Sequence, residues 1–110
     1  MTMTNPHRGE VSLVINGEAR QMRLTLGALA GLEARLESGS LIELAERFES
    51  GRISTADLLA LLEAGLHGAG ETMAEGALAD AEIEGGAVGA MRAGIALLSA
   101  AFRPFQSDGD

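Results

Sequence analysis

The chain has 110 residues, enough for one domain that buries a core without metal or disulfide staples. It contains no cysteine, lysine, tryptophan or tyrosine, which excludes disulfides, thiolate chemistry, Cys-ligated zinc and a Walker-type lysine. With 16 carboxylates against 8 arginines and a net charge of −8, and with Phe48, Phe102 and Phe105 as the only rings, it lacks both the basic footprint and the stacking platform of nucleic-acid binders.

Residues 1–8 are expected to be a flexible N-terminus; Met1 to His7 contain no apolar run of signal-peptide length, so no export signal is expected. The single domain is expected over 9–104. Glu10 to Leu26, EVSLVINGEARQMRLTL, alternates around Asn16-Gly17, two residues that tolerate the positive φ of a tight hairpin turn. A two-residue turn pairs Val11 with Met22, Leu13 with Arg20 and Glu10 with Arg23. Val11, Leu13, Ile15, Met22 and Leu24 then share one face, and Glu10, Ser12, Gln21 and Arg23 the wet one. A lone hairpin is marginal in water, so the apolar face must lie on the helices that follow. Its exposed edge is a candidate for docking by strand addition.

From Leu26 the period changes to that of a helix. Leu29, Leu32 and Leu36 line a first helix that ends at Ser38-Gly39. Ser40 with Glu43 forms a capping box for a second, with Leu41, Leu44, Ala45 and Phe48 inward, Glu43 spaced to pair with Arg47, and Gly51 as the stop. Ser54 with Asp57 repeats the capping pattern, and Ile53 is placed to staple onto Leu58. The helix that follows carries Leu58, Leu59, Leu61, Leu62 and Leu66, an arc wider than a half-buried helix needs. Two arrangements fit: a central helix, or one whose edge is kept for a partner. Thr72 with Glu75 makes a third capping box, for an Ala-rich helix to about Ile83 with Ala74, Ala77, Leu78 and Ala81 on its shallow face. A last helix follows Gly85-Gly86 and is expected to end before Pro104, leaving 105–110 as a flexible acidic tail.

The charge is unevenly spread. Residues 1–52 hold seven acidic and six basic side chains, or −1, whereas 53–110 hold nine and two, or −7, and no basic residue occurs between Ile53 and Met91. Such a surface serves solubility, or complements a basic or aggregation-prone partner.

The stretch EGGAVGAMRAGIALL at 84–98 resembles a phosphate loop, a membrane segment and a closely packed helix in turn. A dinucleotide fingerprint fails because Glu84 stands where the first glycine belongs, and a carboxylate there repels pyrophosphate. A membrane span fails because Gly85 to Phe102 is short and carries Arg92 near its centre, at roughly 2.5–3.5 kcal/mol on the lenient scale. Close packing remains. Val88, Met91, Ile95, Leu98 and Phe102 form a large-residue stripe beside a small-residue face of Gly89, Ala93, Ala96 and Ala100. Each interior glycine costs about 0.8–1 kcal/mol relative to alanine, so Gly89 and Gly94 imply a close neighbour, in this chain or another.

His67 stands four residues from both Glu63 and Glu71, a ligand-like spacing, but Gly68 and Gly70 end the helix first and a solvated or C-terminal capping histidine is expected. No nucleophile elbow or zinc-protease signature occurs, so no catalytic, cofactor or metal residue is assigned and no enzyme activity is expected.

NPHRGEVSLVINGEARQMRLTLGALAGLE, FESGRIST and IEGGAVGA, in this order, resemble the small tail assembly chaperone family encoded by gene transfer agents and related tailed phages. The resemblance runs from Asn5-Pro6 to Phe102. It implies a non-enzymatic bacterial cytoplasmic protein that binds the tape measure protein, with the tail tube protein as a further candidate partner, while the tail is assembled. Some descriptions of the family instead name a tail tube component, which would remain in the virion-like particle. A tube subunit needs a larger sheet than one hairpin supplies, so the chaperone is the expectation and a structural minor component of the tail or tube the alternative. The expected fold is α+β, a hairpin on a bundle of four to five short helices. Leu59, Leu62, Leu66, Met91 and Ile95 are the candidate partner contacts, and no cofactor, nucleic acid or membrane is expected. Self-association as a homo-oligomer is left open.

Overall fold

The computed structural model describes residues 10–37, 39–71, 73 and 76–106, the last five by backbone alone. Within them, β1 (Glu10–Ile15) and β2 (Glu18–Arg23) are followed by α1 (Leu26–Arg35), α2 (Leu41–Ser50), α3 (Thr55–Gly68), a single 3-10 turn (Leu78–Asp80) and α4 (Gly86–Gln106). The fold is α+β and mostly helical, as the sequence periods indicated.

The hairpin forms in the expected register, Glu10 opposite Arg23, Val11 opposite Met22 and Leu13 opposite Arg20. Asn16 and Gly17 take φ of 52° and 82°, the left-handed region that the tight turn demands. Leu13, Ile15, Met22 and Leu24 are buried and Val11 packs against them, so the apolar face does lie on the helices. Both edges of the hairpin are engaged. On β1, Asn16 N–H donates to the Glu82 carbonyl at 2.7 Å and Glu84 N–H to the Val14 carbonyl at 3.1 Å, so residues 82–84 lie along the turn end as a short third partner. On β2, Gln21 N–H points at a Glu71 carboxylate oxygen 3.4 Å away, and Gly68 lies directly against the Arg23 carbonyl. The open edge expected for strand addition is therefore reduced by the chain's own segments.

Helix starts follow the side-chain signals. The hydroxyls of Thr25, Ser40 and Ser54 accept from the backbone N–H groups of Ala28, Glu43 and Asp57 at 3.1, 3.1 and 3.0 Å. Gly51 closes α2 at φ 73° with its N–H shared between the Arg47 and Phe48 carbonyls. Asp57 does more than start a helix. It is 1% exposed, and its Oδ1 accepts from Glu37 N–H at 2.8 Å, tying the beginning of α3 to the end of α1. The expected Glu43–Arg47 pair is not among the ion pairs of the described residues, which join Arg20 to Glu18 and Glu71, and Arg35 to Glu63.

α3 is the central helix. Leu58, Ala60, Leu61, Leu62, Ala64, Gly65 and Leu66 are buried, and the helix packs on β2, α1 and α4. A Cβ on Gly65 would come within 2.6 Å of Leu97 and 3.0 Å of Met22, so the absence of a side chain lets α3 touch strand and helix at once.

Two expectations are corrected. The Ala-rich helix is absent from the described residues: only the 3-10 turn forms before Ile83 bridges to Ile15, while the capping pair Thr72 and Glu75, with Ala74, lies outside the described residues. Gly76 at φ 84° and the pairing of 82–84 with β1 consume the length a helix would need. The last helix does not stop before Pro104 but runs to Gln106. Proline removes its own backbone donor and crowds the carbonyl four residues back, so α4 continues past Pro104 without that one intrahelical hydrogen bond. Residues 105–106, expected in a tail, are thus helical, and 107–110 lie outside the described residues.

Candidate docking site

The candidate contacts separate by burial. Leu62 is fully buried and Leu66 is 2% exposed, so both are occupied by internal packing. Leu59 and Met91 are half-buried against the core, and Ile95 is 48% exposed. Leu59, Leu62 and Met91 meet in one place, a groove of about 440 Å³ between α3, the segment around the 3-10 turn and the beginning of α4. Ile53, Leu58, Leu78 and Ile83 complete its apolar wall. Leu66 instead faces a second depression bounded by Gly27 and Gly31 of α1, with Arg35, Glu63, His67 and Glu71 on its margin. Ile95 lies on the outer surface of α4, as does Val88, 63% exposed.

The inward arc of α4 is neither of the two stripes read from the sequence. Ala90, Ala93, Gly94, Leu97, Leu98 and Ala100 are buried, while Val88, Ile95 and Ala96 face out. Gly94 decides the rotation. A Cβ there would come within 2.9 Å of Phe48, 3.1 Å of Leu58 and 3.3 Å of Leu61, so its close neighbours are α2 and α3 of the same chain. Gly89 has a different use: a Cβ would collide with the Glu84 carbonyl, because the chain folds tightly back at the entry to α4.

The spacing of Glu63, His67 and Glu71 does not produce a ligand set. Glu63 meets Arg35 at 2.6 Å and Glu71 meets Arg20 at 3.0 Å, which draws the two carboxylates to different neighbours. Among the described residues no group of histidines and carboxylates is arranged to hold a metal ion, and no helix is long and apolar enough to cross a membrane. The Arg20–Glu71 pair was not foreseen. Its only sequence signal is an arginine on the core face of β2, opposite Leu13, which must find a carboxylate or reach water.

A family model described as "Phage tail tube protein, GTA-gp10" matches residues 8–104. No curated protein and no solved structure matches the chain.

Proposed function

We propose, from the premise that the chain belongs to the phage tail tube protein, GTA-gp10 family, that it is a non-enzymatic tail protein that works by docking onto other tail proteins. The observation that carries the docking reading is the groove at Leu59, Ile83 and Met91, an apolar surface left unfilled beside a well-packed core. Leu59 and Met91 are its contact candidates, and Ile95, exposed on the outer surface of α4, is a separate one.

The family description favours a structural component of the tail or its tube, present in the virion-like particle and in contact with tube subunits or copies of itself. A second reading, a chaperone for the tape measure protein acting in the cytoplasm, draws support from the hairpin. Its edges are engaged by residues 82–84 and by the end of α3, which leaves little strand for joining neighbours into a ring. Quantitative mass spectrometry of purified particles separates the two. Stoichiometric copies are expected for a structural component and none for a chaperone, whose co-expression should instead raise the soluble yield of a tape measure fragment. Absence from particles together with no effect on that yield would refute both.

A further inference from the structure

Two exposed apolar surfaces lie outside the groove at Leu59 and Met91. On α2, Ile42 is 74% exposed and, with Leu41 and Ala45, forms the floor of a depression of about 490 Å³ that reaches towards the end of α1. Its rim is acidic. Glu46 and Glu49 follow Ile42 on the same face of α2, and Glu33 closes the α1 side. All three carboxylates are exposed, and none enters an ion pair among the described residues. Arg35 is turned to Glu63 instead. Arg47 and Arg52 do not line the depression, Arg47 standing about 100° round α2 from Glu46.

On α4, Val88, Arg92, Ile95 and Ser99 share the outward face, and all four are exposed. Arg92, between the two aliphatic residues, has no ion-pair partner among the described residues. Glu84, the carboxylate nearest this stripe in sequence, is held on β1 by its N–H to the Val14 carbonyl. An aliphatic residue and a charge four positions apart, about 6 Å along the axis, therefore occur on both surfaces: Ile42 with Glu46, and Val88 with Arg92. The two charges are opposite. Depression against depression would gather two sets of Glu33, Glu46 and Glu49, and stripe against stripe two copies of Arg92; only depression against stripe brings unlike charges together. We infer that the α2 depression receives the outer face of α4 from a second copy of this chain. The two surfaces differ, so the contact is head to tail, and its repetition gives a ring if the rotation closes or a filament if it does not. The inference rests on the structural reading above, in which copies of the chain meet, and supplies the two faces.

Sedimentation velocity of the full-length chain over a range of concentrations tests it. In about 0.15 M salt a screening length of about 8 Å suppresses repulsion between net charges of −8 but not an ion pair in contact. The mean mass is expected to rise with concentration past that of a dimer. Ile42→Glu blocks the depression and Ile95→Glu the stripe; both positions are exposed, so each variant should keep the parent fold, which circular dichroism checks. Each alone should be monomeric. Their equimolar mixture should form a dimer and stop there, because one intact face of each kind remains. Arg92→Glu should weaken association on the order of tenfold, and adding Glu46→Arg and Glu49→Arg should restore it. A parent chain that stays monomeric, its depression kept for another protein, would overturn the inference. So would association that either blocking variant leaves unchanged, or a mixture of the two that remains monomeric. The structural reading is decided separately, by mass spectrometry of particles, where a protein that meets only other tail proteins would still be found.

Discussion

Gly31 and Gly68 are both helical glycines, yet a methyl group would meet open space at one and the Arg23 carbonyl at the other. Gly31→Ala should raise stability by about 0.5–1 kcal/mol through lower backbone entropy in the unfolded chain. Gly68→Ala should lower it by about 1–3 kcal/mol, because α3 must move away from β2 to admit the new atom. Urea unfolding of the two variants measures the opposite signs directly. Residue types alone announced a cost at each helical glycine and said nothing of which ones are compensated. Asp57 carries the same lesson: its spacing from Ser54 marked a helix start, but its bond to Glu37 N–H joins residues 20 positions apart and leaves no local pattern.

At the scale of elements, local signals succeeded wherever a short-range rule was sufficient. The Asn16-Gly17 turn, the Ser40 and Ser54 caps and the Gly51 stop depend on neighbours within a few residues, and all were legible. The Ala-rich stretch before Ile83 was misread because helix propensity is a weak preference there, and pairing with β1 offers backbone hydrogen bonds plus burial of Leu78. The rotation of α4 was likewise hidden. Its two stripes left open which side is core, and the inward arc is centred on Gly94 and Leu97, since the gap beside Phe48, Leu58 and Leu61 admits only small groups at that point. Leu97→Ala should therefore cost about 2–5 kcal/mol, whereas Ile95→Lys should change stability by no more than about 0.5 kcal/mol. Thermal or urea denaturation showing comparable losses for both would mean that α4 is turned the other way.

At the scale of the whole molecule, hairpin and helices share one core. Met22 of β2 is fully buried beside Gly65 of α3, and Leu97 of α4 approaches the same glycine. Met22→Ala should lower stability by about 2–5 kcal/mol. Hydrogen-exchange protection of the hairpin amides and of α3 should fall together, as expected of one cooperative unit; loss confined to the hairpin would show that the two layers unfold separately. The candidate site was legible in parts. Leu59 and Leu62, from the over-wide arc of α3, and Met91, from the large-residue stripe of α4, do converge on one groove, while Ile83, Leu78 and Ile53 in the same wall were not seen as contacts because their segment was read as a helix or as a staple. By itself, the sequence determined the class of fold, the hairpin register, the helix starts at Ser40 and Ser54 and the acidic character of the second half, since each follows from residue type and near-neighbour spacing. Only the tertiary structure decided which face of α4 is core, that the hairpin edges are engaged, and where an apolar surface stays unfilled. Those outcomes depend on how closely distant backbones approach, at Gly65, Gly68 and Gly94 above all, and a period along one segment does not contain the shape of the segment packed against it.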